Sequence, residues 1–221
     1  MTAATLWARR FIPYGVLGLG SVAYGAYWYQ YVRTRQQASS EASQFKTVGS
    51  GLADVGRGRF VLVDSRDALA KSERELFGDA WNLVYFGYTH CPDICPAELK
   101  RMTQLLLWAE NDGLPLQPYL ISIDGQRDTV GQLRRYLREF HPRIAGLTGT
   151  PEQLADVAKQ YRMYSFRSGD PADLANDDYL VDHSIFIILV SPQGKFVDYF
   201  GPKMPLDTVY KRIRFHTRDA Q

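Results

Sequence analysis

The stretch that decides the fold is Tyr85–Met102, "YFGYTHCPDICPAELKRM", which carries both cysteines of the chain, Cys91 and Cys95. A proline follows each cysteine, and His90 stands just before the first. Proline lacks an N–H and is tolerated in a helix only within the first turn, so Pro96 puts a helix start at the cysteine pair itself. Directly upstream, "WNLVYFG" (81–87) is a short apolar run rich in strand formers. Strand, cysteine turn and helix therefore follow one another without a break. The helix carries Leu99, Met102, Leu105, Leu106 and Ala109 on one face and ends at the C-cap signal Asn111-Asp112-Gly113.

Working outward, "RFVLVD" (59–64) alternates as a strand, and "PYLISID" (118–124) is the strand after the cysteine helix. A second helix has Val130, Leu133, Leu137 and Phe140 as its buried stripe, with Asp128 or Thr129 as cap. "GTPEQLADVAKQY" opens a third, with Thr150 as N-cap, Pro151 at the first position and Gln153 closing a capping box. After an acidic loop, 169–178, the run "SIFIILV" is joined by "SPQGK" to "FVDYFG", which predicts an antiparallel hairpin. Leu206, Val209 and Ile213 mark a last helix. Parallel βαβ units followed by a ββα unit predict an α/β, thioredoxin-like sheet with helices on both faces, over residues 57–221.

The remainder of the chain differs in character. Residues 1–10 form a short basic tail, and 11–32, "FIPYGVLGLGSVAYGAYWYQYV", is an uncharged stretch. As a helix its 22 residues would span roughly 33 Å, enough to cross a bilayer as one N-terminal transmembrane anchor. Arginines flank both ends, and five aromatic residues between Tyr24 and Tyr31 crowd the second, as an interfacial belt would. No small-residue cleavage site follows, so a retained anchor is expected rather than a signal peptide. Residues 33–56 are polar and glycine-punctuated and predict a linker. A formal charge of +2 with scattered basic residues argues against a nucleic-acid partner.

Three roles are open to the cysteines: a staple, a redox couple, or a soft-metal site. Two cysteines in 221 residues are no disulfide scaffold. A helix N-terminus stabilises thiolate over thiol, the form required for both exchange and metal binding. Structural zinc wants four N/S ligands, whereas copper(I) accepts two or three soft ones. Of the four histidines, His141 and His216 are expected to be solvated. His90 either points away from Cys91 or depresses its pKa as a neighbouring cation. His183, in "VDHS" before the first hairpin strand, is the best third ligand, because that loop of a thioredoxin-like sheet faces the cysteine turn. The run Asp182-His183-Ser184 is no catalytic triad, since adjacent residues cannot line up as nucleophile, base and orienter.

With "YFGYTHCPDICPAEL", "SIDGQRDT", "EFHPRIAGLTGTPEQ" and "YLVDHSIFIILVSPQGKFVDYFG" in this order, the chain resembles the Sco (SenC) family of copper chaperones for cytochrome c oxidase. The resemblance implies a copper ion held by Cys91, Cys95 and His183, a thioredoxin fold and a single membrane anchor. It also implies delivery to the binuclear copper A site of cytochrome c oxidase subunit II, and a separate chaperone that donates the copper. A thiol–disulfide oxidoreductase that keeps the acceptor's cysteines reduced, with Cys91 and Cys95 as its redox pair, is the alternative. The expected location is the mitochondrial inner membrane with the domain in the intermembrane space, or the bacterial cytoplasmic membrane with the domain in the periplasm. Gly125 departs from the family, which has proline there, so the loop after Asp124 is expected to be less rigid.

Overall fold

The computed structural model describes residues 55–56, 58–78, 80–168 and 179–218, together with Ala26, Tyr29, Gln30 and Arg33, which are helical. The chain divides into two compact units, Met1–Thr47 and Val48–Gln221. Among the described residues no helix is long and apolar enough to cross a membrane. Apart from Ala26, Tyr29 and Gln30, the anchor expected at 11–32 lies outside them, as does the acidic loop 169–178.

The larger unit is built on β1 (Val61–Asp64), β2 (Ala70–Ser72), β3 (Trp81–Gly87), β4 (Leu116–Ser122), β5 (Ala145–Thr148), β8 (Ile187–Val190) and β9 (Phe196–Phe200). Among the described residues these strands form one sheet in the order β2-β1-β5-β4-β3-β8-β9. The pairs β3–β4 and β4–β5 are parallel, and the others are antiparallel. Each parallel pair needs a crossover, supplied by α2 (Ile94–Asn111) and by α3 (Val130–Tyr136), which runs on into a 3-10 turn at Leu137–Glu139. Two further helices, α1 (Glu73–Phe77) and α4 (Pro151–Gln160), pack on the sheet, and α5 (Leu206–Arg218) follows the β8–β9 hairpin.

Every residue of β3 is buried, because helices cover both faces of the sheet at its centre. Its side chains divide by parity. Leu83 and Tyr85 join the core beneath α2 and α5, with Leu99, Met102, Leu105, Leu106, Val209 and Ile213. Val84 and Phe86 join the core on the other face, with Leu154, Val157 and Phe77. All five residues predicted for the buried face of the cysteine helix are fully buried. Thr150 and Gln153 form the predicted capping box, and Thr129 caps α3.

The structure also departs from the expectation in several places. The β1–β2 hairpin and α1, the latter started by a Ser72–Glu75 capping box, were not legible in the alternation around "RFVLVD". Strand β5, "AGLT", is too short and too glycine-broken to show a period, and it forms because β4 and β1 present open edges on either side. In the second helix Leu133 and Leu137 are buried, but Val130 and Phe140 are only partly so. The first strand of the hairpin begins at Ile187 rather than Ser184. Before it stands β7 (Leu180–His183), paired antiparallel with β6 (Ser165–Ser168) in a separate two-stranded sheet. His183 thus ends a strand, where a loop was expected.

Candidate metal centre

The site lies where β3 gives way to α2. Asp93 caps the helix, its Oδ1 accepting from the Ile94 N–H at 2.7 Å. One residue on, the Cys95 N–H donates to Cys91 Sγ at 3.4 Å. The helix N-terminus therefore serves the first sulfur directly. Cys95 Sγ sits on the end of β3 itself. A Cβ at Gly87 would lie 2.9 Å from that sulfur and 2.9 Å from the Tyr85 ring, so this position accepts only glycine without displacing a neighbour. Cys95 is fully buried and Cys91 is 8% exposed, and neither is in a disulfide.

Strand β7 delivers the third group. His183 Nε2 lies 3.5 Å from Cys95 Sγ, and one ligand atom each from Cys91, Cys95 and His183 falls within 4.8 Å of the others. His183 Nδ1 is 3.0 Å from the Ser184 carbonyl oxygen. A carbonyl can only accept, so Nδ1 carries the hydrogen and the neutral ring turns an Nε2 lone pair toward the sulfurs. This is the orientation of a metal-ligating imidazole fixed by an outer partner.

Two tyrosines frame the ring. Tyr85 and Tyr88 stand edge-on to His183 with centroids 6.0 and 5.9 Å away. The Tyr85 hydroxyl donates to Cys95 Sγ at 3.6 Å, and the Tyr88 hydroxyl accepts from the Val181 N–H at 3.1 Å. A clamp holds the start of β7. The Tyr179 hydroxyl donates to Asp124 Oδ1 at 2.7 Å, and Arg127 donates from Nε to Asp124 Oδ2 at 2.5 Å. The Arg127 guanidinium also lies 3.7 Å from the Tyr179 ring centroid and donates to the Tyr179 carbonyl at 3.0 Å. The loop after Asp124 is therefore tied down, contrary to the looseness expected from Gly125. Gly125 itself packs so closely that a Cβ there would lie 2.8 Å from the Gly149 carbonyl oxygen.

The electrostatics separate the two sulfurs. A hydrogen bond from the Cys95 thiol, together with those from the backbone N–H groups, outweighs burial and holds Cys91 down at about 4. Cys95 moves the other way, because its proton is held against the Cys91 thiolate and because it is buried. Burial and the neighbouring sulfurs likewise keep the Tyr85 hydroxyl protonated. The reduced site therefore holds one thiolate and one thiol.

The remaining histidines are placed elsewhere. His90 turns from the sulfurs, its Nδ1 lying 3.1 Å from Thr89 Oγ1 and 3.8 Å from Asp128 Oδ1. His141 and His216 are not solvated as expected. His141 Nε2 faces Glu110 at 3.4 Å, and His216 Nε2 faces the buried Asp198 at 3.0 Å, where Arg212 is also paired. Alternation and helical spacing give no sign of such tertiary partners. Gly87, Tyr85 and Tyr88 lay in view beside the cysteines, but nothing in their spacing shows that they would surround His183.

The SCO1/SenC family model matches residues 50–218. This chain belongs to the SCO1/SenC family. It is 43% identical over 187 residues to the bovine mitochondrial SCO2 homolog, covering 83% of this chain and 65% of that protein. Against the human mitochondrial SCO2 homolog the identity is 39%, covering 91% of this chain and 73% of the relative. The fold superposes on Arabidopsis thaliana ScoI with copper bound at a TM-score of 0.64 and 42% identity, covering 71% of this chain and 97% of that one. For yeast Sco1 with copper bound the TM-score is 0.66 at 38% identity, covering 75% and 89%. The larger unit is thus a thioredoxin-like Sco domain. Its three convergent atoms, two sulfurs and one imidazole nitrogen, suit a soft ion of low coordination number, and among the described residues no fourth Cys, His, Asp or Glu joins them.

Proposed function

We propose that this protein is a membrane-anchored copper chaperone that takes up copper through Cys91, Cys95 and His183 and supports metallation of the copper A site of cytochrome c oxidase subunit II. The observation that carries the proposal is the His183 Nε2 lone pair turned toward two sulfurs, all within 4.8 Å. The Cys91 thiolate is ready for an incoming ion, and Cys95 gives up its proton as it becomes the second sulfur ligand. Ligand exchange, one thiolate at a time, then lets the ion pass to another thiolate protein without being free in solution. A donor chaperone would load the site by the same exchange. The copper-bound Arabidopsis and yeast relatives support the choice of ion.

In this proposal 11–32 is the anchor in the lipid bilayer, 33–56 the linker and 57–221 the copper-binding domain. The domain faces the intermembrane space of mitochondria, in keeping with the relatives described as mitochondrial, or the periplasm of a bacterium. Protease added to mitoplasts or spheroplasts should digest the domain; full protection would reverse the orientation.

The low pKa of Cys91 favours a second reading, a thiol–disulfide reductase acting on the acceptor's cysteines. The deciding experiment is metal analysis and rescue of oxidase assembly in a null strain, comparing the wild type with His183→Ala. Disulfide exchange needs only the sulfurs, so His183→Ala should lose copper and rescue while still reducing oxidised glutathione. Full rescue by His183→Ala, with none by Cys91→Ser, would make the reductase reading the correct one.

A further inference from the structure

The two halves of the metal centre belong to different sheets. The cysteine turn leaves β3 of the main sheet, whereas His183 ends β7 of the small one. The loop from Ser122, the last residue of β4, to Asp128, two residues before α3, is bonded to both. Its Asp124 and Arg127 hold the start of β7 at Tyr179. Its last residue, Asp128, is fully buried and is not one of the three ligand residues. Asp128 Oδ1 accepts from the Thr89 hydroxyl at 2.6 Å, and Oδ2 accepts from the Ser122 hydroxyl at 2.8 Å and from the Thr89 N–H at 3.1 Å. Three donors thus converge on one carboxyl group out of reach of water. The group is itself tied down. The Asp128 N–H donates to the Asp124 carbonyl at 2.9 Å, and the Asp128 carbonyl accepts from the Thr148 hydroxyl of β5 at 2.8 Å. Thr89 is therefore fastened to a fixed post built on β4 and β5.

What Thr89 holds in its turn bears on both sides of the site. It lies within the turn that the Cys91 N–H closes by donating to the Tyr88 carbonyl at 3.4 Å. The downstream end of that turn is Cys91. The upstream end is Tyr88, whose ring stands edge-on to His183 and whose hydroxyl accepts from the Val181 N–H of β7. A group that fixes Thr89 sets the first sulfur and the tyrosine beside His183 together.

We propose that Asp128 is a positioning residue of the metal centre, which acts through Thr89 to hold the cysteine turn where its sulfurs and His183 can reach one ion. This rests on the copper-chaperone reading above and adds what keeps the metal-free site in shape to receive the ion. Residues 124–128 then form a single brace. Asp124 and Arg127 hold the histidine strand, and Asp128 holds the cysteine turn. A buried network whose donors are all met favours one arrangement of the groups attached to it. Ligands already gathered need no further ordering when the ion arrives, which strengthens binding without any contact to the metal.

Three variants of the full chain in detergent test this. Asp128→Asn puts a donor where an oxygen accepts, Thr89→Val removes the hydroxyl and keeps the N–H, and Thr89→Ser keeps both. In the metal-free protein, hydrogen exchange at the Thr89 and Cys91 amides should quicken about tenfold in Asp128→Asn and in Thr89→Val, the loss of one hydrogen bond. The α2 amides from Leu99 to Ala109 should keep their rates. Copper(I) affinity, by competition with bicinchoninate, should fall about tenfold in each of the two variants. The double variant should fall no further, because both changes break the same bond. Hyperfine splitting in the copper(II) electron paramagnetic resonance spectrum should change in both and return to the wild-type value in Thr89→Ser, which lowered stability alone would not produce. Unchanged exchange at Thr89 overturns the proposal, and so does a loss of affinity with an unaltered spectrum. A loss of about a hundredfold in the double variant, the two effects adding, would overturn action through Thr89. Thr89→Val leaves the carboxyl in place and carries the same readouts should Asp128→Asn fail to fold. Failure of the wild type itself to bind copper would overturn the chaperone reading alone, since exchange in the metal-free protein still decides whether Asp128 holds the turn.

Discussion

His183 and His141 are both partly buried imidazoles beside an ionisable partner, and they differ in what occupies their nitrogens. His141 accepts the Arg143 N–H on Nδ1 at 3.3 Å and faces Glu110 with Nε2 at 3.4 Å, so both nitrogens are engaged, one within its own loop and one with α2. His183 commits only Nδ1, to the Ser184 carbonyl, and keeps Nε2 for whatever the sulfurs receive. Burial alone does not distinguish the two. An uncommitted lone pair, aimed by a committed nitrogen at other soft donors, marks a candidate metal site.

The comparison can be broken most directly at the sulfurs. Cys91→Ser and Cys95→Ser should each abolish copper retention and disulfide exchange together, read by metal analysis after gel filtration and by reaction with oxidised glutathione. Retention of a full copper in either variant would show that the three-ligand set is wrong.

The histidines come next. His183→Ala should weaken copper(I) binding by about a hundredfold, the upper end of what loss of a metal's supporting group costs. His141→Ala should leave binding unchanged and reduce only thermal stability. Competition with bicinchoninate measures the first, and a melting curve the second. Equal losses of copper in the two variants would remove the distinction drawn here.

The third test uses protons. Cys91 is a thiolate well below neutral pH, because its pKa lies at about 4, whereas the raised Cys95 keeps its proton until an ion displaces it. One proton should therefore leave per copper(I) bound. Affinity should rise about tenfold per pH unit between pH 7 and 8.5. A flat profile would mean that both sulfurs are already ionised in the metal-free protein.

The smallest effect should come from the clamp on β7. Arg127→Met removes the donors that hold Asp124 and Tyr179, and should lower copper affinity about tenfold through a less well-aimed His183. Altered hyperfine splitting in the copper(II) electron paramagnetic resonance spectrum would separate misplacement of the ligand from simple loss of stability. Arg127→Lys should not restore the spectrum, because an ammonium lacks the planar fork and the stacking surface.

By itself the sequence determined everything that rests on local geometry and short-range pattern. Pro96 and the apolar stripe from Leu99 to Ala109 start and orient α2, the Thr150–Gln153 box starts α4, the apolar strand-forming run at 81–87 marks the central strand, and the runs joined by "SPQGK" mark the hairpin. The motifs around Cys91, Cys95 and His183 pointed to the same three residues that the fold brings within 4.8 Å. Tertiary structure decided the rest, because it depends on partners far apart in the chain. No spacing reveals that β7 would leave the main sheet to pair with β6 and carry His183 on a strand, or that Asp124, Arg127 and Tyr179 would lock its start. Nor could composition tell a histidine with both nitrogens engaged, as at His141, from one with a lone pair left over. That difference is made by a carboxylate, a carbonyl or a backbone N–H arriving from elsewhere in the fold, and hydrogen bonds of that kind leave no period in a sequence.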